Sequence, residues 1–171
     1  MKTNRKTKLT KVVGLLLVFA LTISSAGMHG KVAEAKASSK LKKACAAAAK
    51  KTGNAKKLKF KTSTPSDFDA ISFRYDKKVS AMYYVADDKT VYNICVAKAK
   101  TTAYAKKIYK AFASYKQSRL KNEYFKTDYT KTEQKIMKNA IYGRKGKYVW
   151  YISMSSLKKN KAGQAALKKK L

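Results

Sequence analysis

Apolar and polar positions alternate most clearly near the C-terminus. Over residues 140–154, Tyr148, Trp150, Ile152 and Met154 fall on one face of an extended chain at a spacing of two, while Val149, Tyr151 and Ser153 fall on the other. A turn signal at Lys145 and Gly146 separates this run from a β-prone run before it, so the stretch predicts a hairpin with one wholly apolar side carrying the single tryptophan. Residues 79–86 and 91–99, rich in Val, Ile and Tyr and joined through Asp87-Asp88-Lys89, predict a second hairpin.

Elsewhere the spacing is helical. Leu41, Ala44, Cys45, Ala48 and Ala49 recur at intervals of three and four, and Gly53-Asn54 supplies a stop. A longer stripe of Ala105, Ile108, Tyr109, Phe112, Tyr115 and Leu120 follows a cap at Thr101 or Thr102, with Lys106, Lys107, Lys110 and Lys116 toward water. Thr130 and Glu133 have capping-box spacing at the front of a short helix over 132–139. Ser155 or Ser156 caps a last helix ending in Lys168-Lys169-Lys170, where cations suit the helix dipole. Residues 56–64, basic and polar up to the only proline, Pro65, read as a connector, and 68–75 fits a strand or a helical turn equally. The order α-ββ-α-α-ββ-α predicts an α+β fold, a small antiparallel sheet of two hairpins packed against helices.

The N-terminus changes the picture. Lys2, Arg5, Lys6, Lys8 and Lys11 precede an uncharged run over 12–21, and the small residues Ala33, Ala35 and Ala37 follow, the three-part order of an export signal. The run is too short for a spanning helix, which needs roughly 20 residues. Cleavage is expected near Ala37, with Ala35 and Ala26 as alternatives, and Cys45 comes too late for lipid attachment. The expected organisation is a signal peptide over 1–37, a helix and basic connector over 38–65, and an α+β domain over 66–171. The leader carries seven of 41 basic residues and one of nine acids, leaving 34 basic against eight acidic, a net charge of +26. Such a surface repels copies of itself, favouring a monomer, and attracts polyanions. Only Arg74, Arg119 and Arg144 of the remaining cations are arginine. Lysine lacks the planar fork that reads bases, so no specific nucleic acid is expected.

From residue 79 onward the chain resembles the bacterial family designated domain of unknown function 4358. The likeness rests on the strand over 91–99 after an acidic turn, the helix with Arg119 followed by Phe125 and Tyr129, and Asn139-Ala140 leading into Gly146-Lys147-Tyr148-Val149. The resemblance implies the fold and an exported or lipid-anchored setting in mainly Gram-positive bacteria. It implies no activity, and this chain departs from the pattern in its lysine content and its lack of a lipid-attachment cysteine.

Candidate chemistry is sparse. The single histidine, His29, lies in the leader, which removes imidazole bases and histidine metal sites from the processed chain. Ser155-Ser156-Leu157-Lys158 and Lys51-Thr52-Gly53 match two elements of penicillin-recognising enzymes in reversed order, with the third missing, so a helix cap and a helix stop explain them better. Asp67, Asp69, Asp76, Asp87 and Asp88 have oxygen ligands but no calcium-loop spacing, and turns account for them. No catalytic residue, metal or cofactor is expected. Cys45 and Cys95 fit either a disulfide or two buried thiols. Tyr104, Tyr109, Tyr115, Tyr124 and Tyr129, interleaved with lysines, read mainly as core and secondarily as a stacking surface. The expectation is a non-enzymatic exported domain that binds anionic envelope polymers by charge, with Lys106, Lys110, Lys168, Lys169 and Lys170 as contacts. The alternatives are an enzyme using carboxylates or lysines not located here, and a cationic toxin or unspecific nucleic-acid binder.

Overall fold

The computed structural model describes residues 39–62, 78–87 and 90–171. The leader with His29 and Ala37, the stretch 68–75, and Asp67, Asp69, Asp76 and Asp88 lie outside them. Helix α1 (Ser39–Thr52) is followed by a 3-10 turn (Ala55–Lys57), strands β1 (Phe60–Thr62), β2 (Val79–Ala86) and β3 (Asn93–Ala99), helices α2 (Thr102–Lys121), α3 (Glu123–Asp128) and α4 (Lys131–Lys138), strands β4 (Ile141–Lys145) and β5 (Tyr148–Ser153), and helix α5 (Leu157–Lys168). The fold is α+β, and among the described residues every strand pairing is antiparallel, in the order β1-β2-β3-β5-β4.

Two elements correct the sequence reading. Part of the connector over 56–64 forms β1, which pairs through Lys61 opposite Val85 and keeps that lysine exposed, a charge that discourages pairing with a further strand. After α2 the chain turns into the six-residue α3, where Asn122 caps by accepting from the Phe125 amide at 3.3 Å. The other caps fall where the sequence puts them. Thr101 accepts from the Tyr104 amide, Thr130 and Glu133 form the reciprocal capping box, and Ser156 accepts from the Lys159 amide. The turn of the last hairpin sits one residue later than its signal. Lys145 pairs with Tyr148, and Gly146 takes a left-handed φ of 57°, which a side chain rarely adopts.

Helices cover both faces of the sheet. On one face α1 and α5 bury Leu41, Ala44, Ala48 and Leu167 against Tyr83, Val96, Trp150 and Ile152. On the other, α2, α3 and α4 bury Ile108, Phe112, Phe125 and Met137 against Met82, Cys95, Val149 and Tyr151. The expectation of one apolar hairpin side is therefore too narrow, because Val149, Tyr151 and Ser153 are as buried as Trp150 and Ile152. Each buried alkyl or aromatic side chain contributes roughly 1.5–3 kcal/mol on leaving water, so both layers hold the sheet. Helices α1 and α5 approach closely because their contact is built from small residues. A Cβ at Gly163 would lie 2.9 Å from Thr52 Cγ2 and 3.2 Å from the Ala48 carbonyl oxygen. Among the described residues no helix is long and apolar enough to cross a membrane.

Trp150 is the largest fully covered side chain, with its indole nitrogen donating to Gln164 Oε1 at 2.9 Å. Its cross-strand partner is Gly143, where an added Cβ would lie 2.5 Å from the ring. Gly143→Ala is therefore expected to cost about 1–3 kcal/mol by overpacking. Urea denaturation checks this, and an unchanged midpoint would show that the indole does not rest on that glycine.

Candidate functional site

The lysines singled out in the sequence separate. Lys106 and Lys110 are exposed on α2, while Lys168, Lys169 and Lys170 are exposed at the end of α5, on the opposite side of the sheet. What the fold does bring together is the outer surface of α1 and α5. It carries Lys40, Lys42, Lys43, Lys50 and Lys51 from α1 and Lys158, Lys159, Lys161, Lys168, Lys169 and Lys170 from α5 and the residues just after it, all exposed. Neither helix contains an acid, so this layer presents eleven like charges with none opposed on its own elements. The geometry follows from sequence locally, since α1 buries its alanine stripe and leaves lysines on its remaining face.

Tyrosine–lysine interleaving has a structural use. Lys40 and Lys98 lie 5.2 and 5.7 Å from the Tyr148 ring centre, Lys78 lies 5.7 Å from that of Tyr104 and Lys57 6.0 Å from that of Tyr92, so the chain's own ammonium groups occupy these ring faces. Tyr115 is buried, Tyr104 and Tyr129 are half-buried against the α2-side core, and Tyr109 sets its ring against Tyr142 at 5.2 Å. Tyr124, 66% exposed, is the member of the set that faces open water.

The weak catalytic motifs take their structural meaning. Ser156 is the α5 cap, Thr52 donates to the Ala49 carbonyl at 2.8 Å, and Gly53 ends α1 with a φ of 82°. Among the described residues no group of His, Cys, Asp and Glu is placed to hold a metal ion. Cys45 and Cys95 are free, buried thiols, not a disulfide: Cys45 lies in the α1–α5 layer and Cys95 faces the α2 layer across the sheet. Burial pushes both thiols above their ordinary range, so they stay protonated and poorly nucleophilic. Where α2, α3 and α4 meet, an open depression is lined by Leu120, Phe125, Lys126, Gln134, Lys135 and Lys138, with no carboxylate on its wall.

Compared with known proteins, the chain matches no family model, no curated protein and no solved structure.

Sequence reasoning missed one cluster. Tyr84, Cys95, Tyr151 and Tyr142 are in register across β2, β3, β5 and β4, forming a row on the α2 face. Helix α2 lays Phe112 and Tyr115 on Tyr151, with ring centres 5.7 and 5.6 Å apart, and Arg119 one turn later over the Tyr115 ring at 5.6 Å. Burial opposes the half-buried guanidinium's charge, but the Tyr115, Tyr129 and Tyr151 phenols and a hydrogen bond to Tyr115 outweigh it, holding Arg119 above its usual range. Burial in turn raises Tyr84, Tyr115 and Tyr151, so these phenols are neutral at physiological pH. The nearest sequence signal was Arg119 itself, one of few arginines in a lysine-rich chain.

Proposed function

We propose that this is an exported, non-enzymatic domain that adheres to anionic polymers of the cell envelope, such as wall polyphosphates, through the α1–α5 lysine layer, after removal of a leader ending near Ala37. The observation that carries the reading is that layer: eleven exposed lysines, nine on two packed helices and two just past the end of α5, with no acid on either helix. Like charges held side by side repel, and a polyanion that threads between them relieves the repulsion and releases its own counterions. Lysine suits this work because a hydrated point charge binds any phosphate or sulfate without demanding one geometry. The resemblance to the exported bacterial family stands as a proposal consistent with this setting.

The test is binding of the processed chain to polyphosphate, DNA and heparin. Affinities within about tenfold of one another are expected, since charge alone carries no sequence information. Replacing Lys42, Lys43, Lys158 and Lys161 together by Gln is expected to weaken binding to all three, and more than replacing Lys106 and Lys110. Equal loss from the two sets would remove the α1–α5 layer from the account.

A further inference from the structure

The depression between α2, α3 and α4 has a volume of about 550 Å³, within the range of small-molecule sites. Its lining divides by chemistry. Leu120 and Phe125, both packed on the α2-side core, give it an apolar floor, and Lys126 from α3 with Lys135 and Lys138 from α4, all three exposed, stand around that floor. Their methylene stems extend the apolar wall while the ammonium groups reach water. A spacing of three puts Lys135 and Lys138 on one face of α4. The acids of the same helices stand apart. Glu133 is turned to the α4 cap, where it accepts from the Thr130 amide at 2.8 Å and from its hydroxyl at 2.7 Å, and neither Glu123 nor Asp128 of α3 lines the depression. The depression is also held in shape. Gln134 ties α4 to the end of α3, its side-chain amide donating to the Lys126 carbonyl at 2.9 Å and to the Tyr129 carbonyl at 2.8 Å, and the Phe125 ring packs on that of Tyr129 with centres 4.6 Å apart. Walls fixed before a ligand arrives lose little entropy when it binds.

We infer that this depression is a binding site for a phosphate monoester carrying a short apolar chain. The monoester brings about 1.5–2 negative charges at pH 7 and three acceptor oxygens, one for each ammonium group, whereas a carboxylate brings a single charge and two oxygens. The chain lies over Leu120, Phe125 and the lysine stems, an apolar contact that bare phosphate or a polymer backbone does not make. The depression is on the opposite face of the sheet from the α1–α5 layer, so the site stands or falls independently of polymer adhesion.

Calorimetric titration of the processed chain with octyl phosphate below its micelle-forming concentration, octanoate, inorganic phosphate and octyl glucoside, at fixed ionic strength, tests it. Octyl phosphate is expected to saturate one site per chain and to bind more tightly than octanoate or inorganic phosphate, with no saturable heat from octyl glucoside. Replacing Lys135 and Lys138 together by Gln should weaken octyl phosphate about tenfold or more, since two charge-assisted contacts are lost. Leu120→Ala should bring its affinity toward that of inorganic phosphate, whereas replacing Lys42 and Lys43 together by Gln should leave it unchanged. Binding without saturation, equal affinity for octanoate or inorganic phosphate, unchanged affinity without Lys135 and Lys138, or loss without Lys42 and Lys43 would each overturn the site. Should Leu120→Ala lose its near-UV dichroism and prove unfolded, butyl phosphate against octyl phosphate on the unaltered chain decides: equal affinity for the two overturns the proposal.

Discussion

Stability is expected to collapse between pH 9 and 11, and the loss should come from groups that the fold keeps protonated. Cys45 and Cys95 have an ordinary value of 9.0 and Tyr84, Tyr115 and Tyr151 one of 10.0, and burial raises all five in the folded chain. The sign follows from proton counts. Below pH 9 both states hold these protons and their contribution is fully present; as pH rises, the unfolded chain releases first the thiol and then the phenol protons while the folded chain keeps them, so unfolding gains. Each group contributes a slope of about 1.4 kcal/mol per pH unit once its unfolded form is ionised, so five give at most about 7 kcal/mol per unit, comparable with a whole domain's stability of about 5–15 kcal/mol. Lysine deprotonation relieves self-repulsion and works the other way, but its ordinary value of about 10.4 places most of that effect above the thiol window. Urea midpoints under reducing conditions should therefore begin to fall near pH 9, and replacing both cysteines by alanine should delay the onset to about pH 10. A midpoint constant from pH 8.5 to 10.5 would show that these side chains are not buried as described.

Trp150→Ala is expected to lose about 3–5 kcal/mol, among the largest losses from any single replacement. The indole is 2% exposed, sits between Gly143 and the α1–α5 layer, and spends its one donor on Gln164. Truncation removes the ring's burial and leaves a cavity that the sheet beneath cannot close. Trp150→Phe should recover much of the packing while forgoing the hydrogen bond, worth about 1 kcal/mol. Thermal or urea unfolding measures both. Wild-type stability in the alanine variant would mean that this face is a surface and not a core.

Both hairpins, the capping box and the three long helices were legible because each is written locally, in alternation, in helical spacing and in cap residues. Two-sided burial of the sheet was also written, in the nearly unbroken apolar run Ile94-Cys95-Val96-Ala97, which suits a central strand covered on both faces. Strand β1 was not legible, since three residues with a lysine before them and another in their middle become a strand only when β2 offers an edge. Helix α3 had a signal in Asn122-Glu123 that its short length obscured. The separation of Lys106 and Lys110 from Lys168, Lys169 and Lys170 depends on which side of the sheet each helix covers, which no spacing along the chain encodes. Arg119 reads alone as a solvated helix end, and only tertiary structure sets it beside tyrosines from three other parts of the chain.

The central claim, adhesion by unshaped charge, is tested most directly by the affinity of the processed chain for polyphosphate across a salt series. A surface contacting six to ten phosphates should lose about 10³–10⁵-fold in affinity between about 50 and 200 mM salt, linearly on logarithmic axes, with DNA and heparin following parallel lines. Affinity that barely changes over that range, or strong preference for one polymer among several of equal charge density, would contradict the claim.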